Sequence, residues 1–176
     1  MSSTESKIFQ TKDFRTDTLK LYEDILNSGS CLRTKVTGRS MSPFLVGGEI
    51  VTIKKSSYAS LWIGDLIFIK SRDTSPLLHR IVRKQRTDHG LLFQTKGDGV
   101  LSADNMISEI HIMGKVCRVE QVRRNGEARE IDMESHPQRF ISYMTAMFSL
   151  AKTRLYCVAA RILPLFLRKA LKKVFI

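Results

Sequence analysis

Between Leu32 and Val122 the chain is cut into short apolar, β-branched runs, and this cutting limits the fold more than any other feature. The runs are Leu32–Thr37, Ile50–Lys54, Asp65–Lys70, Leu77–Arg83, Leu91–Thr95 and Ile110–Val122, with Gly, Asp and Ser turns between them. Six short strands at this spacing leave no room for the helices of a doubly wound α/β fold. They predict a mainly β domain, a curved sheet or small barrel, within an α+β chain. Asn125-Gly126 is a tight-turn signal that predicts a hairpin into Ala128–Met133.

Helical patterns flank this block. Residues 1–15 show no pattern, and Thr16 or Asp17 then caps a helix with Leu19, Tyr22, Ile25 and Leu26 on one face, ended by Gly29. From about Pro137 the period becomes helical again. Arg154, Arg161, Arg168 and Lys172 recur along one side, Tyr156, Leu163, Leu167 and Val174 lie roughly opposite, and Pro164 predicts a kink. The expected division is an N-terminal arm and short helix at 1–31, a β domain at 32–134 and a basic amphipathic helical tail at 135–176.

Charge follows the same division. Residues 1–134 carry 21 basic and 17 acidic side chains; residues 135–176 carry eight basic ones and no acid. Anion-seeking character is therefore concentrated in the tail. Its longest uncharged run, Phe140–Ala151, is twelve residues, against the roughly 20 needed to cross a bilayer. An apolar face, a basic face and no acids suit a helix lying in an anionic membrane interface, with Arg154, Arg161, Arg168, Lys172, Leu163 and Leu167 as contacts. The plainer reading is a helix packed on the domain with a solvated charged side. No signal-peptide core or membrane span occurs in the first thirty residues. The expected location is thus cytoplasmic, peripheral to the membrane. Cys31, Cys117 and Cys157 are odd in number and far apart, without metal-ligand or disulfide spacing, so a reducing compartment and no metal or cofactor are expected.

Candidate chemistry begins at Gly38-Arg39-Ser40-Met41-Ser42-Pro43. Strand-like Val36-Thr37 precedes it and Pro43 stops regular continuation, which predicts a serine hydroxyl displayed at a turn with Met41 behind it. A serine hydroxyl is a weak nucleophile near neutral pH unless a base takes its proton. Neutral imidazole suits that task, and a carboxylate can fix the ring tautomer and stabilise the imidazolium. Ser40, His79 and Asp104 supply these groups in chain order, with Asp98 as a second carboxylate. Arg80 has either Asp98 or Asp104 as an available partner. Asp104 beside Asn105 also fits a turn cap, and Asp98 before Gly99 fits a turn residue. His89, His111 and His136 show no partner pattern. Lys84 or Lys96 would serve as base only if burial lowered an ordinary pKa of about 10.4.

Taken together, G-x-S-M-x-P, Gly64-Asp65-Leu66-Ile67-Phe68, Leu78-His79-Arg80-Ile81-Val82, Thr95-Lys96-Gly97-Asp98 with Asp104, and Gly114-Lys115-Val116 resemble a type I signal peptidase catalytic domain. That serine peptidase group also contains the LexA-like self-cleaving repressors. The likeness covers roughly residues 32–120. His followed by Arg resembles the endoplasmic-reticulum, archaeal and sporulation-type enzymes rather than the lysine-dependent bacterial ones. The resemblance implies a coiled β-sheet barrel with Ser40 as nucleophile and His79 as general base. It further implies that Asp104 orients the histidine, with Asp98 structural or sharing that role. The Ser40 N–H is the implied oxyanion donor, Gly38 and Met41 belong to the oxyanion and substrate pocket, and small side chains flank the cut. The implied substrate is a leader or precursor peptide near a membrane.

The chain departs from that family in three places. Gly38 stands where some relatives carry an assisting hydroxyl, Gly48-Glu49 replaces Gly-Asp, and the family's N-terminal membrane anchor has no counterpart in the first thirty residues, which leaves room for a membrane-anchored partner protein. Two other readings remain open. In the first, a repressor-like module cuts its own linker, Gly29-Ser30-Cys31 being the nearest small-residue site, or only binds. In the second, a basic adaptor sits on a membrane surface. Nucleic acid is a weak candidate partner, because basic residues are not interleaved with aromatics along the strands.

Overall fold

Alternation along each run decides where the sheet is covered. The computed structural model describes residues 17–70, 76–122 and 127–162. Eight strands form one antiparallel sheet: β1 Leu32–Lys35, β2 Ile50–Lys54, β3 Leu66–Lys70, β4 Pro76–Thr87, β5 Gly90–Lys96, β6 Met106–Ser108, β7 Ile112–Val122 and β8 Ala128–Asp132. Their order is β1-β2-β7-β3-β4-β5-β6, with β8 paired to β7 off this path. The sheet curls into a half-barrel.

In β3 the residues Leu66, Ile67, Phe68 and Ile69 are all buried, because the strand is covered on both faces. Leu66 and Phe68 join one core cluster with Met41, Leu45, Val51, Ile53, Val116 and Val119. Ile67 and Ile69 join a second with Leu61, Ile81, Phe93 and Ile112. A first helix, α1 (residues 17–27), closes the first cluster with Leu19 and Leu26, which are buried two turns apart. It ends at Gly29, whose φ of 83° and N–H to the Leu26 carbonyl make the left-handed stop.

The second helix, α2 (His136–Ile162), lies against the domain through its small residues. Its buried positions are Ser142, Ala146 and Ser149, while Phe140, Ile141, Tyr143, Phe148, Leu155 and Val158 are exposed. The small residues let the helix approach closely. A Cβ on Gly64 would stand 2.7 Å from the Tyr143 nitrogen, so that turn and the helix backbone touch where only glycine fits. Two hydrogen bonds tie α2 to the neighbouring loop, Lys96 Nζ to Ser149 Oγ at 2.5 Å and Thr153 Oγ1 to the Leu101 carbonyl at 2.7 Å.

The strand expectations fall within a few residues of these bounds, with three differences. β4 continues to Thr87, Ile110 and His111 lie in a 3-10 turn rather than in β7, and β6 was not expected. The β7–β8 hairpin is present, pairing Val122 with Ala128, although Asn125 and Gly126 lie outside the described residues. So do Pro164 and its expected kink. Among the described residues no helix is long and apolar enough to cross a membrane.

Candidate active site

The serine turn is held from behind by its apolar neighbours. Met41 and Leu45 are buried in the first cluster, the Leu45 N–H reaches the Met41 carbonyl at 2.9 Å, and the Ser42 N–H reaches the Arg39 carbonyl at 3.0 Å. Buried Glu49 closes the same loop, accepting hydrogen bonds from the N–H groups of Val46 and Gly47 at 2.8 Å each. Ser40 itself is half-buried.

Against this turn lies the loop that follows β5. The Gly99 N–H donates to the Ser40 carbonyl at 2.8 Å. A Cβ on Gly97 would sit 2.5 Å from that same carbonyl oxygen and 3.0 Å from His79 Nε2, and one on Gly99 would meet the Ser42 carbonyl at 3.0 Å. Only a chain without side chains at 97 and 99 leaves the serine turn and the imidazole side by side.

His79 lies on β4 opposite Ile67 of β3, just before β4 begins to pair with β5 at Arg80 and Lys96. Its side chain is 7% exposed. Nδ1 is 2.6 Å from Asp104 Oδ2, and Nε2 is buried without a hydrogen-bond partner among the described residues. A carboxylate at Nδ1 favours the tautomer with its proton there, leaving the lone pair on Nε2. Asp104 is itself fixed by three contacts. Its N–H donates to the Thr95 carbonyl at 2.8 Å, its Oδ2 accepts from Thr95 Oγ1 at 2.7 Å, and its carbonyl accepts from Gln94 Nε2 at 3.1 Å. Burial raises its carboxyl pKa. The hydrogen bonds from His79 and Thr95, with the charges of His79 and Lys96, outweigh that and hold it below the usual carboxylate value.

Asp98 is committed elsewhere. Arg80 Nε and Nη2 donate to its two oxygens at 2.9 and 2.6 Å, Nη1 donates to the Gly64 carbonyl at 2.9 Å, and the guanidinium lies 5.2 Å from the Phe44 ring centroid. Of the two carboxylates, Asp104 therefore meets the imidazole and Asp98 meets Arg80. The lysines considered as bases are also occupied. Lys84 Nζ donates to the carbonyls of Ala59 and Leu61 at 2.8 Å each. Lys96 Nζ is buried on Ser149, and burial lowers its pKa, helped by Lys152 and opposed by Asp98 and Asp104. His89, His111 and His136 are exposed.

Gly38 and Met41 line a cavity of about 420 Å³ that also reaches Ser40. Arg154 is exposed on α2, and Arg161 belongs to the same helix. The other expected membrane contacts, Leu163, Leu167, Arg168 and Lys172, lie outside the described residues. The Gly29-Ser30-Cys31 segment is an exposed connection between α1 and β1. Sequence reasoning gave no role to Thr95, Gly97 or Gly99. Their signal was present in the Thr95-Lys96-Gly97-Asp98-Gly99 run, where two glycines so close together mark a backbone approached from outside. Among the described residues no group of three or more His, Cys, Asp or Glu side chains is placed to hold a metal ion. No protein-family model matches the chain, and no curated protein matches it.

Proposed function

We propose that the protein is a serine endopeptidase of the signal peptidase I kind, with Ser40 as nucleophile, His79 as general base and Asp104 as the group that orients it. One observation carries this reading. A buried imidazole is bonded to a carboxylate through Nδ1, and its unpartnered Nε2 borders the same Gly97 position as the Ser40 carbonyl. In this mechanism Ser40 Oγ attacks the scissile carbonyl while Nε2 takes its proton. The imidazolium, stabilised by Asp104, then returns the proton to the leaving amine. The Ser40 N–H faces the developing oxyanion. Water, activated by the same imidazole, hydrolyses the acyl-enzyme. The substrate is a leader or precursor peptide presented near a membrane surface. A reporter-peptide library should be cut by the wild type and left intact by Ser40→Ala and His79→Ala; undiminished cutting by either variant would reject the assignment.

The outer side of α2 supports a peripheral membrane location. Phe140, Phe148 and Leu155 are more than half exposed, and exposed Arg139 and Arg154 flank them. Apolar side chains beside cations are the surface that an anionic bilayer binds. Co-sedimentation with vesicles containing phosphatidylserine should fall when Phe140 and Phe148 are both changed to Glu. Equal binding by the variant would remove α2 from that role.

A further inference from the structure

The cavity beside the serine turn is walled by β1 and the serine turn after it, by Val51 of β2, by Phe68 of β3, by Pro76, Leu77 and Leu78 of β4, and by Tyr22 of α1. Because Ser40 also lines it, anything held there belongs to a residue whose backbone passes the serine turn. Val36, Met41, Val51, Phe68, Leu77 and Leu78 make most of its surface apolar, Thr34, Lys35 and Thr37 add polar groups, and no carboxylate lines it.

We propose that Tyr22 is a specificity-determining residue: its ring sets the upper size of the apolar side chain that this cavity accepts from a peptide within three positions of the scissile bond. The inference rests on the peptidase reading and adds to it the helix outside the sheet. That helix is a fixed wall. Leu19 and Leu26 on either side of Tyr22 are buried at 2% and 1% exposure, and Lys70 Nζ pairs with Glu23 Oε1 at 3.0 Å. Lys55 Nζ donates to Asn27 Oδ1 at 2.9 Å. The Tyr22 ring is set against Phe68 with centroids 6.0 Å apart and planes inclined at 46°, so its edge stands at one place in the cavity. A volume of about 420 Å³ lies within the roughly 300–1,000 Å³ of small-molecule sites. It exceeds many times the roughly 30 Å³ of one water, so it has room for an amino-acid side chain.

The test measures kcat/KM for peptides carrying Ala, Val, Leu, Phe, Asp or Lys at each of the three positions on either side of the cut, with the wild type, Tyr22→Ala and Tyr22→Trp. At one position the wild type should prefer apolar over charged side chains. There the Phe-to-Ala ratio should rise about tenfold or more in Tyr22→Ala and fall in Tyr22→Trp, the scale on which apolar pockets discriminate. Opposite shifts separate a wall from a general packing defect, which would move both variants the same way. Cleavage with unchanged ratios at every position, or with both variants shifted alike, overturns the role of Tyr22 and leaves the peptidase reading standing. Should the wild type cut none of the peptides, the peptidase reading falls. Fluorescence anisotropy of the same peptides on Ser40→Ala, with and without Tyr22→Ala, then decides the inference: an altered Phe-to-Ala affinity ratio upholds the wall, and identical ratios overturn it.

Discussion

Asp98 and Asp104 follow one strand, carry the same side chain and have opposite surroundings. The Asp98 side chain is 4% exposed and gripped by both nitrogens of the Arg80 fork. That of Asp104 is 34% exposed and meets one imidazole nitrogen and one threonine hydroxyl. A bidentate guanidinium has no proton to exchange near neutral pH, so Asp98 serves as a strut between β4 and the loop. An imidazole does exchange its proton, so the carboxylate beside it acts on a group that can do chemistry. Identical residues separate into anchor and orienter according to partner and burial.

Two substitutions test that separation, and two more test the surroundings of the site. Asp104→Asn should lower kcat by about 10⁴-fold, because an amide favours the wrong imidazole tautomer, while lowering the urea midpoint at neutral pH less than Asp98→Asn does. A loss below tenfold would remove Asp104 from the orienting role. Asp98→Asn should do the reverse. Breaking a buried pair from one side costs about 3–5 kcal/mol, seen as a lower urea midpoint, while the remaining folded enzyme keeps most of its kcat. Equal stability would mean that the Arg80 fork is not an anchor. Gly97→Ala should lower kcat by about a hundredfold, since displacing a reacting group by about 1 Å costs that much, and a Cβ there collides with the Ser40 carbonyl. Unchanged kcat would show that the turn yields freely.

The smallest effect concerns Lys96. Its folded-state pKa lies below the ordinary 10.5, so between that depressed value and 10.5 the unfolded chain holds a proton that the folded protein lacks. Stability therefore rises with pH across that window. Lys96→Met should flatten the rise in urea midpoint at alkaline pH. Asp104 has the same sign at the acid end. Its depressed pKa contributes stability above the ordinary 3.8, lost as pH falls through the folded value. Parallel alkaline curves for wild type and Lys96→Met would mean that the amine is not desolvated.

Most of the sheet was legible because its strands obey simple alternation between turn residues. Ile50–Lys54 matches residue for residue. β6 escaped because three residues after Asp104-Asn105 are too few to show a period. The inner face of α2 was harder to read. Its first three turns are apolar on nearly every side and single out no inner face, whereas the close approach to the Gly64 turn selects Ser142, Ala146 and Ser149. At the site, residue types and chain order pointed to Ser40, His79 and one of two aspartates. The resemblance favoured Asp104, but residue types alone left the choice between the aspartates open, since it depends on where Arg80 points, and its reach is set by strand pairing across β3, β4 and β5.

The central claim is that Ser40 becomes acylated with the help of His79. The direct measurement is intact-mass spectrometry after rapid acid quenching of a reaction with an activated peptidyl ester, followed by mapping of the adduct. The account predicts a transient gain of one acyl group, located on Ser40, absent from Ser40→Ala and lost from His79→Ala. Acylation of another residue, or acylation of Ser40 at the same rate without the imidazole, would contradict it.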